Sequence, residues 1–493
     1  MEQIPLSAHS AATTCRNEDP IVMEQTQISV ETLDFWTAED TARALRDVPY
    51  DCYLGIKFYH KDPLPFLLDD AKTNGQRALF LDHEFPVHSQ VLVNTTPTSQ
   101  FALQPGIITS SNCRDLASGG DKRSQRVVHF CRLAASHRWK RKSHLYPLFS
   151  TISADNTLQG RIGNCGFCSG FASLASQWPQ FIRDAFGQCS EKALAQCGAF
   201  SVRLYPQGKE RYLLLDDYLL CNCNREEPPS LHSQLGDTWP EYLEKVIVKV
   251  QGSYASLDGH YKYNSLYRHP ARALQLLTGA PLAMEVRYER TQLNEIYAVL
   301  EASQGVCARV AHCRKRVEGL CANHGYSILW VGVVANTRLV CLRNPHGKSS
   351  YTGKFGYGWK GWHSSAGALL ATELVKLGCF RKCPNSGRPL WCDEVSPRSS
   401  ATSGHHNLQC GKELIEEDNG IFLMGISSFT DCFPVSTFVG PIGDHSSSRG
   451  QETTMHLKAE CAQPDCVPLI RPENLRCVLP LLRKALKNPV KSI

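Results

Sequence analysis

The sequence predicts an α+β chain, with a helix-rich first lobe, a strand-rich second lobe and a cleft between them. Two observations carry that expectation. Apolar residues recur at helical spacing through 165–178 and 237–259. Beyond residue 320, aliphatic, β-branched and aromatic residues instead gather in short runs at 326–334, 338–345 and 418–433.

A chain of 493 residues is long enough for two or three domains with substantial cores. Charged residues at 20% and hydrophobic ones at 42% describe an ordinary soluble protein. The net charge of +6 is too small for this length to imply nucleic acid. No apolar run approaches the roughly 18 residues of a transmembrane helix. The opening, MEQIPLSAHSAATTC, lacks a basic-then-apolar signal and has no Gly at position 2 for myristoylation. Twenty-two cysteines without such a signal read as reduced thiols, so a cytoplasmic location is expected.

Residues 1–77 form a polar N-terminal region without an assigned role, where Pro63 and Pro65 are expected to break any long element. The first lobe is expected over 78–270. Within it, 104–127 has the Pro, Gly and Ser content of a surface loop, and HRWKRKSH at 137–144 reads as a solvated basic face. The central stretch is LQGRIGNCGFCSGFASLAS, residues 158–176. Gly160 and Gly163 allow a tight turn, after which Phe167, Phe171, Leu174 and Trp178 follow one helical face. Cys165 therefore stands where a loop becomes a helix, and free N–H groups there favour a thiolate. Gln159 is spaced to donate to an oxyanion beside the Cys165 N–H. The competing readings are that Cys165 is one more buried thiol, or that Cys168 is the nucleophile.

Downstream, RYLLLDDYLL (211–220) reads as one strand, and 237–259 as a long helix. Thr238 and Glu241 suit a capping box, Pro240 fits the first turn, and Trp239, Leu243, Val246, Val250, Tyr254 and Leu257 form its core face. The chain is expected to cross near 270–281 into a second lobe over 271–440. There YSILWVGVV and RLVCLRNP, joined by Ala335-Asn336-Thr337, read as a hairpin. His324 stands at the mouth of its first strand and Asn344 at the end of its second, so the two are expected side by side. A thiol nucleophile needs a base, and the base needs a group that fixes its tautomer. DNGIFLMGISSFTDCF (418–433) reads as a further strand. Cys221 and Cys223 stand too close together for a zinc site. Cys379, Cys383, Cys392 and Cys410, with His405 and His406, lie in a polar insertion whose spacings match no standard zinc site. Residues 441–493 read as a basic tail whose amphipathic end suits a terminal helix or contact with a partner or membrane surface.

These motifs resemble the calpain family of papain-like cysteine peptidases. QGRIGNC is similar to that family's Gln-Gly-x-Leu-Gly-Asp-Cys-Trp, with Asn164 for the Asp and Gly166 for the Trp, which leaves a large apolar contact unmade. Trp139-Lys140-Arg141, Asp216-Asp217 and the Trp239–Tyr254 helix pattern also match, and ALFLDHEFPVHSQ at 78–90 resembles the acidic-Phe-Pro segment by which the family enters its protease core, in the right order before Cys165. His324-x-Tyr-Ser resembles the family's His-Ala-Tyr-Ser, and Asn344-Pro-His-Gly its Asn-Pro-Trp-Gly. His346 replaces a Trp that in the family shields the His–Asn hydrogen bond from water. The resemblance implies a papain-like two-lobe core and an intracellular cysteine endopeptidase making limited cuts in protein substrates. Cys165 would be nucleophile, His324 general base, Asn344 its orienter and Gln159 an oxyanion donor, with no cofactor needed for the chemistry. It also implies calcium as an activator. Asp155 or Asn156, with Asp237, are the candidate ligands in the first lobe, while KSSYTGKFGYG (348–358) offers no carboxylate for a site in the second. The alternative function is a calpain-like scaffold without activity. A transglutaminase is disfavoured because Asn344 stands where such enzymes usually carry Asp.

Overall fold

The computed structural model describes residues 35–73, 79–85, 137–141, 146–222, 230–257, 269–349, 351–383, 388–391, 418–442 and parts of 467–482. In the first lobe, β1 (Tyr50–Tyr53), β2 (Ile56–Tyr59), β4 (Ala199–Leu204) and β5 (Arg211–Asp216) form an antiparallel sheet in the order β1-β2-β5-β4. A separate ribbon pairs β3 (His137–Arg141) with β6 (Tyr218–Asn222). Around these pack α1 (Cys165–Gln177), α2 (Trp239–Gln251) and α3 (Pro270–Thr278). The second lobe is a seven-stranded sheet, β13-β10-β9-β8-β14-β7-β15. Its strands are β7 (Leu282–Arg287), β8 (Ala308–Cys313), β9 (His324–Val334), β10 (Thr337–Arg343), β13 (Ile421–Gly425), β14 (Val435–Gly440) and β15 (Leu469–Ile470). Every pairing is antiparallel except that of β15 with β7. β11 (Phe380–Lys382) and β12 (Pro389–Trp391) make a short hairpin of their own, with Phe380 against Trp330 of β9.

The expected helix at the nucleophile begins at Cys165, and every residue from Gly166 to Ala175 is buried. The α2 core face is also as expected, but α2 is buried all round, including Lys245 and Lys249. Two carboxylates make that tolerable: Lys245 Nζ lies 2.5 Å from Asp216, and Lys249 Nζ 2.7 Å from Asp82. Lys249 thereby ties the 79–85 segment to the core, and Asp216 explains one of the two acids at the end of β5.

Several expectations need correction. The 211–220 run is two strands, because the chain turns at Asp217 between β5 and β6. The 237–259 helix stops at Gly252, whose φ of 91° terminates α2 before a separate 3₁₀ turn at Tyr254–Leu257. Thr238 makes no capping box, since its hydroxyl donates to the Pro147 carbonyl instead. Pro63 and Pro65 start a helix, Leu64–Thr73, rather than break one, as proline does in a first turn. After Gly425 the 418–433 run becomes the helix Ile426–Cys432. The crossing segment is itself the helix α3, capped by the His269 ring accepting from Ala271 N. Within the C-terminal segment, β15 adds to β7, and Val478 and Leu482 are buried against the second lobe. Residues 104–127, Pro86, Cys392, His405, His406 and Cys410 lie outside the described residues.

The contact expected to be missing at Gly166 is made by another route. A Cβ at Gly166 would overlap Cγ of Pro270, and one at Gly170 would lie 2.6 Å from Cδ1 of Leu274. The Gly166/Gly170 face of α1 thus receives the Pro270/Leu274 face of α3, four residues apart on each helix. Gly166→Ala is expected to destabilise by about 1–3 kcal/mol, because overpacking against a rigid ring exceeds the ~1 kcal/mol that alanine gains in a helix. Adding Pro270→Ala should recover most of that loss in a urea-unfolding double-mutant cycle, and additive losses would refute the packing argument.

Candidate active site

The hairpin of β9 and β10 forms as expected. Ala335 and Asn336, at φ 45° and 60°, make the tight turn. A register shift at Cys341/Leu342 leaves Leu329 unpaired and re-aims the strand ends nearest the first lobe. Those ends carry His324 and Asn344. His324 Nε2 lies 2.9 Å from Asn344 Oδ1.

The carboxamide of Asn344 is oriented by its other partners. Its Nδ2 donates to Lys348 O at 2.8 Å, and its Oδ1 accepts from His346 N at 3.1 Å. Since Oδ1 only accepts, the proton of neutral His324 sits on Nε2. Nδ1 is left with the lone pair a general base needs.

Cys165 reaches this pair through a close backbone approach. Gly325 N lies 3.3 Å from Cys165 Sγ and donates to it. A Cβ at Gly325 would stand 3.2 Å from Gly166 Cα, so glycine lets the strand meet the helix at this distance. Cys165 is half-buried, whereas Cys168 is fully buried and donates its S–H to Asn164 Oδ1 at 3.2 Å. Burial, and secondarily Glu244, pushes the Cys168 thiol far above the usual range. It stays protonated, which disfavours it as the competing nucleophile.

Gln159 lies on the loop ahead of Cys165. Its backbone N donates to Pro345 O at 2.9 Å, and its Nε2 donates to Ile162 O at 2.8 Å. One N–H of the carboxamide therefore braces the loop, while Oε1 is buried without a partner.

Electrostatics around the site are set by burial. Desolvation, then the charge of His346, lowers His324 to about 4, opposed by its bond to Asn344. His346 is exposed, and its ring centroid lies 4.4 Å from that of His324. Behind the site, Asn164 Nδ2 donates to Glu244 Oε1, and Leu231 N donates to both carboxyl oxygens at 3.1 Å. Burial nevertheless raises Glu244 to about 8. Sequence reasoning did not single out Glu244. The available signal was a carboxylate, Glu244, next to Leu243 on the helix face that the apolar spacing marks as core.

The candidate calcium residues are placed as follows. Asp237 Oδ1 accepts from Ser150 N, and its Oδ2 accepts from Thr151 N at 3.4 Å and from Asn156 Nδ2 at 2.6 Å. Asn156 Oδ1 accepts from Ser233 Oγ at 2.6 Å and Leu235 N at 3.0 Å. Asp155 Oδ1 accepts from Ser153 Oγ at 2.6 Å. A hard cation needs several oxygens turned toward one point. Here an amide N–H points at Asp237 where a cation would sit, so these residues do not fit calcium as arranged.

Residues 123–372, half of the chain, match the model of the calpain family of cysteine proteases. The chain belongs to that family. Among its relatives, calpain-5 of Mus musculus is 27% identical over 279 residues, covering 49% of this chain and 41% of calpain-5. Calpain-13 of Rattus norvegicus is 26% identical over 330 residues, covering 64% of this chain and 42% of calpain-13. The calpain-type cysteine protease ADL1 of Oryza sativa subsp. japonica is 24% identical over 220 residues, which are 40% of this chain and 9% of ADL1. The chain thus spans from about a tenth to about two fifths of the length of these calpain relatives. No helix among the described residues is long and apolar enough to cross a membrane.

If the His346 charge helps to hold His324 low, His346→Gln should move the acid limb of kcat/KM to higher pH, because one obstacle to protonating His324 is gone. A pH–rate profile checks this. An unmoved limb, or one shifted to lower pH, would contradict it.

Proposed function

We propose that this calpain-family chain is an intracellular cysteine endopeptidase that makes limited cuts in proteins. The observation that carries the reading is the His324–Asn344 bond beside a Cys165 sulfur held by Gly325 N. In this reading His324 Nδ1 takes the Cys165 proton, and the thiolate attacks the scissile carbonyl. The Cys165 N–H and Gln159 carboxamide receive the oxyanion. Protonated His324 then gives its proton to the leaving amine, and water releases the acyl group from Cys165. Asn344 holds the ring through both steps. The buried thiols Cys168, Cys307 and Cys313 suit a reducing compartment, which supports the intracellular part of the reading.

A second reading, a calpain-like binding protein without turnover, is favoured by one feature: an exposed His346 shields the His–Asn bond less than a Trp would. One experiment separates the two. The purified chain is incubated with an epoxide inhibitor and, in parallel, with an unfolded protein substrate. An adduct on Cys165 and substrate cleavage are expected, with Cys165→Ala and His324→Ala each lowering kcat by about 10³-fold or more. Absence of both adduct and cleavage in the folded chain would favour the binding protein.

A further inference from the structure

Two residues of the second lobe, Arg343 and Pro345, grip the loop that leads to Cys165, and Asn344 stands between them. Arg343, fully buried at the end of β10, donates through Nη2 to Asp155 O at 3.2 Å and through Nη1 to Thr157 Oγ1 at 3.4 Å. Asn344 orients His324. Pro345 O accepts from Gln159 N. One strand end therefore sets the base and fixes the loop carrying the oxyanion donor, with a permanent cation between the lobes.

We propose that Arg343 is a positioning residue that holds the catalytic groove in register without calcium. The proposal rests on the peptidase reading of the same site and adds how that site is assembled. A guanidinium donating to the Asp155 carbonyl occupies one of its lone pairs, and its fixed charge repels a second cation. The Asn156–Asp237 hydrogen bond closes the other side of the same loop, doing with an N–H what a cation does between two oxygens. Both observations point the same way: the Asp155 carbonyl, the Asn156 carboxamide oxygen and the Asp237 carboxylate already accept from donors of this chain.

The test is hydrogen–deuterium exchange on the full chain, in EGTA and in excess calcium, read at the peptide containing Gln159, with thermal unfolding alongside. Protection in EGTA is expected, with neither exchange nor Tm changed by calcium. Arg343→Met should speed exchange there by about tenfold or more and slow alkylation of Cys165, with calcium restoring neither. Arg343→Lys, which keeps the charge but loses the two-pronged geometry, should fall between. Asn156→Asp, setting two carboxylates face to face, should gain a calcium-dependent rise in Tm that the natural chain lacks. This variant and the calcium titration of the natural chain do not depend on Arg343→Met folding. The proposal is overturned if Gln159 is protected only with calcium, or if folded Arg343→Met exchanges there like the natural chain. Protection without any substrate cleavage would instead count against the peptidase reading and leave the lock standing.

Discussion

The site depends on how closely two backbones approach. The first turn of α1 and the first residues of β9 meet with Gly325 N against Cys165 Sγ, and a side chain at 325 would press on Gly166. Glycine on both sides lets a helix of one lobe and a strand of the other share a sulfur. The same absence of side chains on α1 opens the face that α3 fills with Pro270 and Leu274. The nucleophile helix is thus clasped between the sheet of the second lobe and the helix that crosses to it.

Around this junction polar side chains of the chain itself tie the elements together. Ser327 Oγ donates to Ser169 O at 2.8 Å, and Arg309 N donates to Ser173 Oγ at 2.9 Å, stitching β9 and β8 to α1. Asn164 joins Glu244 of α2 to the start of α1, so a buried carboxyl supports the loop from behind. Arg343 supports it from the opposite lobe. Each contact is worth only about 1 kcal/mol by itself, yet together they define a single register, because a buried donor left without a partner costs more than the bond returns.

What the sequence made legible was local. The glycine-rich turn into a helix marked Cys165, and the Ala335-Asn336 turn fixed the hairpin that sets His324 beside Asn344. What it concealed was set by distant partners. Thr238 has the spacing of a capping box, but the Pro147 carbonyl, ninety-one residues earlier, takes its hydroxyl. Gly166 resembled a lost contact because Pro270, its replacement, lies far along the chain. Arg343 resembled any arginine at a strand end, and only the fold brings it to Asp155 and Thr157. Asn156 and Asp237 offer the oxygens of a calcium site in the sequence, but both already accept from neighbours the sequence does not reveal.

The most direct measurement is a crystal structure of the chain grown in chelator with Cys165 unmodified. The expected result is a closed groove, with Gly325 N near 3.3 Å from Cys165 Sγ and His324 Nε2 near 2.9 Å from Asn344 Oδ1. Lobes rotated apart, with the sulfur and the imidazole on separate walls of an open cleft, would contradict the account.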